Sequence, residues 1–252
     1  MISTVDPEAR HGHKSRNRRF DGYKAHLSVD PDSEVIDEVV VTPANTHDAD
    51  AVEDLLAGHA DDEDKPTVFA DSAYAGADTL EDLHAAGYDV MAKVPPASNR
   101  GGRFSKDDFT VDLEAGTVAC PAGYVVAIRF GPDSAGKADF GAHCGGCPLR
   151  ERCTTAAGGR SVTVHPKEAV LQQAKAEQAD PEWEAAYRGT RPKVERKIAH
   201  FVRRAWGGRK ARTRGLRRVS TDVDTRAAAV NWARLATLGV HWDGATWASA
   251  PP

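Results

Sequence analysis

The sequence predicts an α/β protein with a mixed sheet flanked by helices. Two observations carry that reading. Strand and helix patterns follow one another in the order β-β-α-β-α-β across residues 23–94, and helical patterns resume from residue 166 after a glycine- and proline-rich interruption. Periodicity alone admits several α/β topologies.

The first 21 residues are polar and basic (Arg10, Lys14, Arg16, Arg18 and Arg19, with His11 and His13) and lack apolar periodicity, so a flexible lead-in is expected. YKAHLSVD (23–30) alternates apolar and polar side chains, Pro31-Asp32-Ser33 has turn chemistry, and EVIDEVVVTP (34–43) follows, which together predict a β-hairpin. An acidic helix is expected over about 48–59, with Val52, Leu55 and Leu56 on one face. TVFAD (67–71) reads as a short buried strand, 78–86 as a helix and YDVMAKV (88–94) as a further strand. The first part of the core is therefore 22–94. Residues 95–165 read as an inserted β-rich subdomain with strands at 109–113, 117–119, 124–130 and 161–164, and they contain all four cysteines. The second part of the core, 166–240, begins with a helix over 166–188. A further helix has Pro192 in its first turn and stops at Gly207-Gly208, and a last one covers 222–238. Residues 241–252 are expected to be a flexible C-terminus.

A chain of 252 residues, 40% of them hydrophobic, suffices for one sizeable domain with an insertion. Its apolar stretches fall short of the roughly 18 residues that span a bilayer, so no membrane partner and a cytoplasmic location are expected. The net charge of −4 hides a strong asymmetry. Residues 47–64 are acidic, whereas 191–218 hold twelve Lys or Arg against the single acid Glu195, enough to present a basic face to phosphate.

Two acids stand out. Asp71 follows a short apolar strand, where side chains emerge at the sheet edge and ligands of open α/β sheets gather; the ordinary role there is a turn or helix cap. Glu195 lies beside the apolar stripe Val194, Ile198, Phe201 and Val202 of RPKVERKIAHFVRR, where a surface pair with Arg191 is the ordinary role. VFADSAYAG (68–76) and RPKVERKIAHF (191–201) resemble the catalytic segments of DDE transposases of the insertion-sequence type, which have an RNase H-like core. GYKAHLSVD (22–30), VVVTPANTHDAD (39–50) and 206–240 are similar to other stretches of that family.

The resemblance implies an RNase H-like mixed sheet and transposition by metal-dependent DNA strand cleavage and transfer. Asp71 and Glu195 would be catalytic ligands of Mg²⁺ or Mn²⁺, which prefer hard oxygen donors. A Tyr-Arg-Glu-Lys pattern surrounds the family glutamate. Arg191 has its spacing, while Tyr187 and Arg203 are each displaced by one residue. Tyr187, Arg191 and Arg203, with Arg209, Lys210, Arg212 and Arg214 of the glycine-interleaved basic loop, are the expected contacts to double-stranded DNA at transposon ends and target. A homo-oligomer is implied as well. The family's first catalytic aspartate lies on a strand upstream of residue 1, so a sheet lacking its first strand and an N-terminally truncated transposase are expected, with a noncatalytic DNA-binding remnant as the alternative. Asp6 and Asp30 are the candidate substitutes for that aspartate.

The cysteines are spaced Cys120-x23-Cys144-x2-Cys147-x5-Cys153. They offer four soft ligands for a structural Zn²⁺, with free thiols as the alternative in a reducing compartment and His143 as a candidate replacement ligand.

Overall fold

The alternating pattern of residues 23–43 does pair as a hairpin. In the computed structural model, which describes residues 2–15, 17–98, 101–132 and 134–249, strand β2 (Arg18–Val29) runs antiparallel to β3 (Ile36–Pro43), with Tyr23 opposite Pro43 and Leu27 opposite Val39. Asp30 closes the turn by accepting from the backbone N–H groups of Asp32 and Ser33, both at 3.1 Å, and from the Ser33 hydroxyl at 2.5 Å. The basic lead-in is more ordered than expected. Its Arg10–Ser15 segment forms strand β1 against the first half of β2, with His11 opposite Asp21. Backbone pairing requires no apolar periodicity. Close approach does require Gly12, because a Cβ there would meet the Ala44 carbonyl oxygen at 2.6 Å. Arg16 lies outside the described residues.

The expected acidic helix is broken into three short turns: a 3₁₀ turn over Asp48–Ala51, helix α1 (Val52–Leu56) and a second 3₁₀ turn over Ala57–His59. His47 caps the first turn, accepting from Ala49 N–H at 3.3 Å, while Asp50 accepts from His47 N–H at 3.2 Å. Strand β4 (Val68–Ala70), helix α2 (Ala77–Ala85) and strand β5 (Val90–Ala92) follow, with β4 and β5 parallel and Phe69 opposite Met91. A single mixed sheet was expected. Instead, hydrogen bonding divides these strands into a three-stranded antiparallel sheet, β1-β2-β3, and a parallel pair, β4-β5.

The chain forms two compact units, one from residues 1–74, 83–92 and 180–252, the other from 75–82 and 93–179. The second contains a five-stranded antiparallel sheet in the order β10-β9-β8-β7-β6, built from β6 (Thr110–Asp112), β7 (Thr117–Ala119), β8 (Val125–Phe130), β9 (Gly136–Asp139) and β10 (Ser161–Val164). Strand β9 is an addition to the sequence reading: GKAD carries one apolar side chain, Ala138, which is wholly buried. Short helices α3 (Gly141–Cys144) and α4 (Arg150–Cys153) and the longer α5 (Glu168–Glu177) complete the unit. Its core centres on Phe109, Val118, Ile128, Phe140, Val162 and Val164.

The helix expected over 166–188 stops at Glu177, and a 21-residue helix, α6 (Pro181–Phe201), begins four residues later. Asp180 accepts from Glu182 N–H at 2.7 Å and Pro181 occupies the first turn, so Asp-Pro supplies the start signal assigned to Pro192. Pro192 lies inside the helix, where proline costs about 3 kcal/mol; tertiary burial further along α6 offsets it. Helix α7 (Leu216–Thr237) starts six residues earlier than expected, and the tail folds into a two-stranded hairpin, β11 (His241–Trp242) with β12 (Trp247–Ala248), where flexibility was expected. Residues 250–252 of that expected tail lie outside the described residues.

In the first unit, Phe201 of α6 and Val219, Val223, Ala227 and Val230 of α7 pack on Ile36 and Val41 of β3. Asn231 ties α7 to the same strand, accepting from Ile36 N–H at 2.8 Å and donating to its carbonyl at 2.7 Å. Among the described residues no helix is long and apolar enough to cross a membrane. Phe201 is 2% exposed, so Phe201→Ala is expected to cost about 3–5 kcal/mol. Urea unfolding should show it, and a loss below about 1 kcal/mol would contradict this account of the core.

Candidate active site

Asp71 is the residue immediately after β4, and it does what an aspartate at a strand end commonly does: its carboxylate accepts from Ala73 N–H at 2.8 Å and organises the turn that carries Tyr74. It remains exposed. Tyr187 of α6 donates its hydroxyl to the carbonyl of Ala70, the last residue of β4, at 3.0 Å. That bond places the middle of α6 beside Asp71. One and two turns further along lie Arg191 and Glu195, joined at 3.6 Å. The Arg191 side chain is 17% exposed and that of Glu195 67%, so the guanidinium is drawn inward while the carboxylate faces water. Trp183 stacks on Tyr187 with ring centroids 5.0 Å apart.

The electrostatics agree with this convergence. Burial pushes the Tyr187 phenol above its ordinary value; Arg191 opposes the rise, and Asp71 and Glu195 both add to it. Tyr74 is pushed up by burial first, then by Asp48 and Asp71, against Arg191. One neutral phenol therefore senses both sequence-predicted acids, and a second senses Asp71 together with Asp48.

A polar layer missed by sequence reasoning lies on β2. Lys24 donates to Asp48 at 2.6 Å and to the Thr46 carbonyl at 2.7 Å. His26, two residues on and so on the same face of the strand, meets Thr42 Oγ1 at 2.9 Å and the Tyr74 hydroxyl at 3.4 Å. The i, i+2 placement of Lys24 and His26 was the available signal.

Other expected residues find different work. Asp6 accepts from Tyr23 Oη at 2.6 Å, and Glu8 accepts from Leu216 N–H at 2.9 Å at the start of α7. Asp30 is engaged in its turn, which accounts structurally for both candidate substitutes. Lys197 is buried, with its ammonium pushed down by burial; Arg196 is paired with Glu34, and Lys193 lies 3.5 Å from Asp32. Arg212, expected in a flexible loop, is paired with Asp222 of α7, which also receives Arg226 at 3.2 Å. Arg203, Arg209, Lys210 and Arg214 are exposed.

Asp71 and Glu195 supply hard oxygen donors, which suit a divalent cation in kind. Among the described residues, no group of three or more His, Cys, Asp or Glu side chains is arranged to hold a metal ion. Asp71 at the strand end, and Tyr187, Arg191 and Glu195 along α6, are residue types that phosphate chemistry uses. Residues 2–232 match the transposase DDE domain family, and the chain belongs to it. No solved structure matches the chain.

His26 is buried and its pKa is lowered, by burial first and by Lys24, against Asp48. The folded state thus favours the neutral ring, and the unfolded chain binds the proton more readily. Stability is full above the unfolded value of about 6.5 and falls as pH drops through that value toward the lowered one. Unfolding midpoints measured from pH 7.5 to 5 should fall, with a shallower decline in His26→Gln. Equal slopes would remove His26 from the account.

Proposed function

We propose that this chain carries out, or descends directly from a domain that carries out, divalent-metal-dependent DNA strand cleavage and strand transfer in transposition. The observation that carries the reading is the bond from Tyr187 of α6 to the carbonyl next to Asp71, with Arg191 and Glu195 one and two turns along that helix, in a chain of the transposase DDE domain family. The antiparallel hairpin β2-β3, followed by the parallel pair β4-β5, supports an RNase H-like core.

In this reading Asp71 and Glu195 ligate Mg²⁺ or Mn²⁺, which when bound would activate the attacking hydroxyl and stabilise the leaving oxygen. Arg191, held between Tyr187 and Glu195, orients the glutamate and offers positive charge to the scissile phosphate. Tyr187 keeps α6 registered on the strand end. Arg203, Arg209, Lys210 and Arg214 contact the DNA backbone without reading bases. A homo-oligomer would hold two DNA ends together.

The decisive assay is cleavage of a labelled duplex carrying the element's ends, with Mg²⁺ or Mn²⁺, comparing this chain with Asp71→Ala and Glu195→Ala. Loss of cleavage in both variants, by about 10³-fold or more as expected when a preorganised charge is removed from a site, supports the metal-ligand roles. Binding without cleavage by the parent chain points to the noncatalytic DNA-binding reading, which the pairing of only two carboxylates favours.

The phosphate contacts have their own readout. Log affinity should fall linearly with log salt, and replacing Arg203 and Arg214 with Gln should reduce that slope by about 2. Arg212→Gln should instead lower stability, since it leaves Asp222 with one partner fewer. Salt-independent binding would refute the electrostatic assignment.

A further inference from the structure

The four cysteines belong to the second unit, and the reaction proposed above does not use them. Cys120 follows β7, Cys144 ends α3, Cys147 lies in the following turn and Cys153 ends α4. Although 23 residues separate the first from the second, all four line one small cavity of about 20 Å³. That is room for one water-sized occupant. All four thiols are unbridged.

The backbone around them is shaped for sulfur. Cys120 donates its N–H to the Tyr124 carbonyl at 2.9 Å and accepts from Gly123 N–H at 2.8 Å, which makes a tight turn under the first thiol. Cys147 N–H approaches the Cys144 carbonyl at 3.4 Å, and Arg150 N–H donates to the Cys147 carbonyl at 3.1 Å, so a second turn presents the Cys-x2-Cys pair. Arg160 N–H points at Cys144 Sγ from 3.4 Å, a contact that strengthens when sulfur is a thiolate. Gly159 (φ +86°) allows that approach, since a Cβ would meet Gly141 Cα at 2.7 Å and Cys144 Sγ at 3.1 Å.

The charges lining the cavity are those a thiolate cluster needs. Arg150 and Arg160 both line it, and Arg160 Nε is buried without a hydrogen-bond partner. An orphaned cationic donor beside four neutral thiols is costly. Beside a tetrathiolate zinc centre, with a net charge of −2, two guanidiniums restore the balance.

We propose that Cys120, Cys144, Cys147 and Cys153 bind one structural Zn²⁺ ion. As they stand, the described residues offer no group of three metal-holding side chains, so the thiols must turn about their Cα–Cβ bonds when the ion enters. Binding replaces four S–H bonds with four Zn–S bonds, and the four protons pass to solvent as the ion sheds its water ligands. The ion staples two turns onto a sheet whose strands are three to six residues long, and whose core is correspondingly small.

The test uses the full chain, purified under reducing conditions with zinc and freed of loosely held metal. About one equivalent of zinc per chain is expected, retained in Asp71→Ala and lost in Cys144→Ser and Cys153→Ser. Cobalt substituted for zinc should give thiolate-to-metal charge transfer in the near ultraviolet and the intense visible bands of a tetrahedral site. If the cysteine variants do not fold, the cobalt spectrum of the parent chain and protection of its thiols from alkylation decide the matter. Folded metal-free protein with four freely reacting thiols, a disulfide among them, or zinc retained by Cys153→Ser would each overturn the proposal. Loss of zinc in Asp71→Ala alone would assign the metal to the carboxylates instead.

Discussion

The candidate site depends on one hydrogen bond, from the Tyr187 hydroxyl to the Ala70 carbonyl. Strand β4 has only three residues and pairs on one side with β5, so its end is not a rigid platform by itself. Helix α6 contains a proline that removes one of its own backbone bonds. Joining the two at Ala70 fixes the carbonyl next to Asp71 and sets the rotation of α6. Arg191 and Glu195, at i+4 and i+8 from Tyr187, follow along the same helical face. Burial of the phenol strengthens the arrangement, because a neutral donor in a poorly solvated position is costly to leave unpaired.

The basic segment divides into two groups with different physics. Arg196 and Arg212 meet carboxylates, Lys193 approaches one, and Lys197 is buried. These cations hold α6, α7 and the loop between them in place. Arg203, Arg209, Lys210 and Arg214 face water. Arg204, Arg217 and Arg218 of the same stretch are exposed as well, whereas Glu34, from the hairpin turn, and Asp222 of α7 neutralise Arg196 and Arg212.

The hairpin, the strand before Asp71, four of the five strands of the insertion and most of the last helix were legible because each has a local signature: period-two alternation, turn residues or helical spacing. The lead-in strand β1 was not, because its order comes from backbone pairing with β2 and from the Asp6 and Glu8 contacts, which leave no apolar pattern. Strand β9 was obscured by having a single buried side chain. The start of α6 was misplaced because two prolines compete for it, and Asp180 decides in favour of Pro181. Nothing local in the sequence says that Lys24 meets Asp48 or that His26 meets Tyr74.

The sequence by itself determined the secondary-structure periods, the concentration of charge in 191–218 and the residue types available at the two candidate sites. Local chemistry is enough for these, because each depends on neighbours within a few positions. Only the tertiary structure decided that Tyr187 of α6 meets the carbonyl next to Asp71, that Arg212 is paired with Asp222, that Asp6 and Asp30 have other work, and that four cysteines from separate turns line one cavity. Each of these is a matter of which surfaces are buried together, and burial is a property of the whole packed chain.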